Sequence, residues 1–184
     1  RSMNWVKNLS IKFKILVIPS VAIAGFLLYL AINYSVSKEN EERLQAISDI
    51  YFPVLEKSTS NIVLLTRIDE LLNVAISNGE TEMVDDASDT LQSILQAFDE
   101  MARLEPPRRD EISAIQQALN QYFDNANALT LSMIDESVDF GQINSLVSTK
   151  NGLQQDALQK IQRYHDNSLK KFTSTLDDSY SSTQ

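Results

Sequence analysis

The pattern of apolar and polar positions divides the chain near residue 37. Before that point, Ile15 to Ser37 carries no charged side chain, and the core of the run, Ile15 to Ile32, reads ILVIPSVAIAGFLLYLAI. A helix apolar on every side has no face to turn to water, so the run predicts a membrane span. At a helical rise the core is roughly 27 Å long, close to the hydrocarbon thickness of a bilayer. Tyr29 and Tyr34 then fall at the outer interface and Trp5 near the inner one. Pro19 is tolerable in such a helix, where it can kink the chain. The competing expectations are a buried helix of a soluble protein, which the all-round apolarity and one-sided basic flank disfavour, and a cleaved signal peptide, with Ala22-Ile23-Ala24 as its small-residue site. The apolar run continues past that site through Phe26-Leu27-Leu28-Tyr29-Leu30, which favours an uncleaved anchor. Arg1-Ser2 ahead of Met3 reads as a cloning remnant.

Beyond residue 37 the apolar positions recur at helical spacing. Val84, Ala87, Leu91, Ile94, Phe98 and Met101 alternate steps of three and four, as do Ile112, Ile115, Leu119, Tyr122, Ala126, Leu129 and Met133. These are heptad seams, the pattern of helices that pack on one another. A looser stripe runs through Ile47, Tyr51, Val54, Ser58, Ile62, Leu65, Ile68, Leu72 and Ile76. The last stripe holds Leu146, Leu153, Ala157, Ile161, Tyr164, Ser168 and Phe172, with Lys150 interrupting it.

Turn residues separate the stripes. Asn78-Gly79 ends the first, because glycine takes the left-handed cap at little cost, and Thr81 or a neighbour opens the second. Glu105-Pro106-Pro107 ends the second, since proline disfavours helical geometry in the residue before it, and the prolines suit the first turn of the third. Asp139 with Gln142 three residues later has the form of a capping box for the fourth. The predicted helices are 37–78, 81–104, 107–137 and 140–180. Short loops make neighbours antiparallel. The expected fold class is all-α: an N-terminal transmembrane helix (15–36) continuing into an antiparallel up-down four-helix bundle (37–184). Within the first bundle helix, Pro53 lacks an N–H and its ring clashes with the preceding turn, so a bend or break is expected near 49–53.

Charge sharpens the topology. Arg1, Lys7, Lys12 and Lys14 lie in residues 1–14, which hold no acid, whereas all 25 acidic residues lie beyond. A basic head before an acidic body places residues 1–14 in the cytoplasm and the bundle outside, and argues against nucleic-acid binding. An even number of helices returns the chain end to the membrane, where a second membrane helix is expected after residue 184.

Catalytic chemistry is not written into the chain. There is no Cys, so neither a disulfide nor a thiolate site. His165 is the only histidine, which excludes a His-Glu-x-x-His pair, and no glycine-rich phosphate loop or Gly-x-Ser-x-Gly elbow occurs. His165, beside Tyr164 in a polar stretch, reads as a surface residue, and the Asp85, Asp86 and Asp89 run as a solvated face. No catalytic residue, metal or cofactor is expected.

The order of elements supplies a further reading. A basic start, a membrane helix, Tyr51-Phe52-Pro53-Val54-Leu55, the stretch Leu65-Thr66-Arg67-Ile68-Asp69-Glu70-Leu71-Leu72-Asn73-Val74-Ala75, then Asn-Gly, Pro-Pro, Tyr122 and a long returning helix follow in turn. Together they resemble the four-helix-bundle sensor domain of methyl-accepting chemotaxis proteins, over the whole chain after Met3. The resemblance implies a homodimeric receptor in the bacterial inner membrane with the bundle in the periplasm. A small-molecule ligand or a ligand-loaded periplasmic binding protein would shift the last helix slightly and signal across the membrane. The same sensor type also precedes histidine kinases and cyclic-dinucleotide enzymes, and a non-sensing anchored scaffold shares the pattern.

In the family, ligand sits at the seam between subunits, part-way up the first and fourth helices. Arg67 flanks the Leu65/Ile68 stripe at that height, with Lys150, Asn151 and Gln154 level with it on the fourth helix. A guanidinium with amide and ammonium neighbours suits a carboxylate. The bland alternative for Arg67 is an ion pair with Glu70 three residues on. The family's amino-acid receptors carry several arginines close together, and here Arg67 stands apart from Lys57 and Arg43.

Overall fold

The structure, a computed structural model, describes residues 11–181, with side chains from residue 19 onward. Residues 1–10, including Trp5 and Lys7, and residues 182–184 lie outside the described residues, and Lys12 and Lys14 fall in a stretch described by its backbone alone. Among the described residues the chain is all helical. Helix α1 (Ile11–Ala46) runs through one wide π-helical turn (Ile47–Tyr51) into α2 (Phe52–Asn78), so the three form a single rod. Helix α3 (Glu82–Leu104), a short 3-10 turn (Pro106–Arg108), α4 (Arg109–Ile134) and α5 (Ile143–Ser181) follow.

The upper and lower parts of the first rod differ in what they touch. From Pro19 to Glu39 every side chain of α1 is exposed, including Leu28 and Tyr34. This part of the rod is long and apolar enough to cross a membrane, with a mean hydropathy of 1.6 and none of that window buried. From Val54 onward the rod buries a stripe against the other helices: Val54, Ser58, Leu65, Ile68 and Leu72.

Pro53 neither breaks nor sharply interrupts the rod. Its ring would meet the carbonyl four residues back, and the helix relieves this by widening. Phe52 N–H donates to the Ile47 carbonyl, a five-residue step that spans the turn just before the proline. Where a bend or break was expected near 49–53, the helix carries an added residue in one turn.

The core follows the seams closely. All six predicted α3 positions are buried, from Val84 to Met101. In α4 the stripe is buried from Ile112 to Leu129 and half-buried at Met133. In α5 Ala157, Ile161, Tyr164 and Ser168 are buried. Phe98 meets Tyr164 edge to face at 6.4 Å, linking α3 to α5. Contacts between the first rod and α5 run in opposite order: Asn40 with Ser179, Ser58 with His165, Asp69 with Lys150.

Turns account for the boundaries. Gly79 takes φ 68° and its N–H bonds to the Ala75 carbonyl, ending α2 as expected. The α4 to α5 connection is longer than predicted: α4 stops at Ile134, not 137, and α5 starts at Ile143, not 140. Glu136 adopts φ 53°, and the Asp139 carboxylate accepts from the Gly141 N–H at 2.9 Å. That bond closes a local turn in place of the expected capping box with Gln142.

A candidate ligand cleft and a polar corner

Lys150 lies in an apolar stripe of α5, where an ammonium requires a counter-charge or a route to water. It finds the former. Its Nζ lies 2.5 Å from Asp69 Oδ1 on α2, and its side chain is 14% exposed. Asp69 also accepts from Tyr122 OH at 3.4 Å on α4 and from Asn73 Nδ2 at 3.2 Å. Three helices thus meet on one carboxylate. Burial, then the Asp69 charge, raises the Tyr122 pKa well above its ordinary value.

Beside this cluster is a cleft of about 280 Å³ between α2, α4 and α5. Leu72, Ile76, Leu129, Met133 and Val147 supply its apolar wall, and Lys150 is the charged residue in its lining. Thr130, 2% exposed, also lines it.

The residues expected from sequence to share a site do not converge within one chain. Arg67 is exposed and pairs with Glu70 at 3.3 Å. Two residues along a helix turn the chain by about 200°, so Arg67 and Asp69 face nearly opposite directions. Lys150, bound to Asp69, is therefore on the far side of α2 from Arg67. Asn151 is exposed and Gln154 half-buried.

A second polar cluster holds the corner between α3 and α4, and sequence reasoning missed it. Glu105, 4% exposed, receives Tyr164 OH at 2.7 Å, Arg108 Nη1 at 3.1 Å and Lys171 Nζ at 3.5 Å. Arg108 also donates to Glu111 at 2.9 Å, Ser168 Oγ at 2.6 Å and the Tyr164 carbonyl at 3.2 Å. Its guanidinium also lies 3.6 Å from the Tyr164 ring centre. Burial disfavours the Arg108 charge, but the Glu111 hydrogen bond and nearby negative groups outweigh it and raise its pKa. Burial, then the bond to Glu105, raises the Tyr164 pKa well above the ordinary value. The Pro-Pro pair marked the corner, but no sequence signal paired Glu105 with α5.

His165 corrects a further expectation. It is half-buried, not a free surface residue, and its Nδ1 lies 2.9 Å from Ser58 Oγ. The polar Ser58 within the α2 stripe was the available signal. Among the described residues no group of three or more His, Asp or Glu side chains gathers as a metal site.

No protein-family model, curated protein or solved structure matches this chain.

Proposed function

We propose that the chain is the extracytoplasmic sensor region of a bacterial transmembrane receptor of the chemotaxis type. In this reading α1 crosses the inner membrane and continues into an antiparallel up-down four-helix bundle in the periplasm. The bundle binds a small ligand, or a ligand-loaded binding protein, and carries no catalytic activity. Receptors of this plan work as homodimers. Exposed Arg67 and Asn151 and half-buried Gln154 then contribute across a subunit seam.

One observation carries the proposal: the end of α5 lies beside the place where α1 leaves its uncharged stretch. Arg43 Nη1 donates to the Asp178 carbonyl at 3.2 Å, and Ser179 meets Asn40. A chain that leaves a membrane at α1 and returns to it at α5 can transmit a displacement of α5 through a following membrane helix. A scaffold has no need of that return.

A hybrid receptor tests this reading. The chain is joined after residue 184 to the second membrane helix and cytoplasmic part of a chemoreceptor with a measurable output. Screened against metabolites and periplasmic extract, the hybrid should change its output in a ligand-dependent way. An inserted, folded hybrid that stays silent throughout overturns the sensor reading in favour of an anchored scaffold.

A further inference from the structure

We propose that the cleft between α2, α4 and α5 is a binding site, within a single chain, for a small monocarboxylate with an apolar body. The proposal rests on the sensor reading and names the ligand class for it. The cleft, at about 280 Å³, has room for a short chain or a single ring.

The charge follows from Lys150. An ammonium has three donors, and the Lys150 head is committed to one partner among the described residues, Asp69. The Asp69 carboxylate is in turn divided among Lys150, Tyr122 and Asn73. The ammonium therefore keeps donors to offer to the cleft that Lys150 lines, on a side chain only 14% exposed. No carboxylate lines the cleft, so a cationic ligand finds no group of opposite charge in its walls. A dianion needs a second cation, and Arg67 lies on the opposite face of α2, held by Glu70. A single negative charge is what remains.

The rest of the ligand follows from the walls. They are aliphatic apart from the Thr130 hydroxyl, Asn73 and Ser77, and the Thr130 hydroxyl has no hydrogen-bond partner among the described residues. It supplies a second donor to a carboxylate oxygen or a contact to a substituent. Val147 and Lys150 belong to α5, while the other walls belong to α2 and α4. A ligand here bridges α5 to its neighbours and biases its position.

The test uses the full chain in lipid nanodiscs, with hexanoate and benzoate as probes and hexanamide, benzamide, hexylammonium and succinate as controls. The monocarboxylates should raise the melting temperature with concentration and bind by calorimetry, with the amides about tenfold weaker or more. Val147→Trp, which fills the cleft without touching a charge, should abolish binding. The pair Asp69→Asn with Lys150→Met, which leaves no stranded charge, should remove the preference for carboxylate over amide. Arg67→Ala should change nothing. Equal binding of amide and carboxylate, binding that survives Val147→Trp, or no binding by either monocarboxylate each overturns the proposal. A hybrid receptor that answers a different ligand class sinks this inference and keeps the sensor reading. Carboxylate binding with a silent hybrid does the reverse.

Discussion

The α3–α4 corner and the cleft beside Lys150 both bury charge between helices, yet they are built differently. At the corner, Glu105 is 4% exposed and Tyr164, Arg108 and Lys171 converge on it, while Arg108 gives four hydrogen bonds of its own and so ties Glu105 to α4 and α5. At the cleft, Asp69 is 25% exposed and Lys150 keeps donors in reserve. A saturated network fixes helix positions, because any shift leaves a buried group unpaired. An unsaturated one tolerates a shift and can accept a new partner. The corner therefore reads as the fixed end of α5's packing and the cleft as the adjustable end.

The largest effect should come from the corner. Arg108→Ala removes contacts to Glu105, α4 and α5 at once and leaves Glu105 buried with Tyr164 and the more exposed Lys171. A loss of about 3 kcal/mol is expected, read by urea unfolding of the folded chain. A loss below 1 kcal/mol, by the same reading about what an exposed pair gives, would place the corner on a level with the surface and undo the contrast.

Alkaline pH tests both regions together. Tyr122 and Tyr164 have folded pKa values raised above those of the unfolded chain, by burial first and then by Asp69 and Glu105 respectively. In the unfolded chain they lose protons near pH 10, while in the fold they keep them. The unfolded state then binds fewer protons, so stability is intact below about pH 10 and falls as pH rises above it. Each tyrosine contributes a slope of about 1.4 kcal/mol per pH unit. Tyr164→Phe and Tyr122→Phe should each flatten the decline. If neither changes the slope of melting temperature against pH, the phenols are not held neutral by the fold.

At the cleft, Lys150→Met should cost about 1 kcal/mol in the absence of ligand, well under the corner's loss, because Asp69 can take up water in place of the ammonium. Adding Asp69→Asn should recover most of that loss. A cost equal to that of Arg108→Ala would mean that the cleft is as rigid as the corner.

The helices and their buried faces were largely legible because the seams are local. The six α3 positions from Val84 to Met101 obey a period that helix geometry alone decides, and Asn78-Gly79 and Pro106-Pro107 carry their conformations in their own covalent structure. The misses lie where side chains compete with the backbone or where distant segments meet. Asp139 bonding the Gly141 N–H shifted the start of α5, and the wide turn at Ile47–Tyr51 is one of several ways a helix can absorb Pro53. Lys150 stood out as a charge in an apolar stripe, but its partner Asp69 is 81 residues away. Finding that pair requires the register between α2 and α5, which turn lengths set and periodicity does not. Glu105 with Tyr164 and Ser58 with His165 were hidden for the same reason.

The smallest effect separates Arg67 from Lys150, two cations placed at one height by sequence. Arg67 and Glu70 are 57% and 59% exposed and sit three residues apart on one helix. Such a pair contributes about 0.3 kcal/mol and is screened by salt. Arg67→Ala should shift the chemical denaturation midpoint by little more than experimental error, and the shift should vanish at high salt. Lys150→Met should keep most of its effect there, because its ion pair is mostly withdrawn from solvent. Equal salt sensitivity of the two variants would show that Lys150 is as solvated as Arg67, and the distinction between an inner and an outer cation would fall.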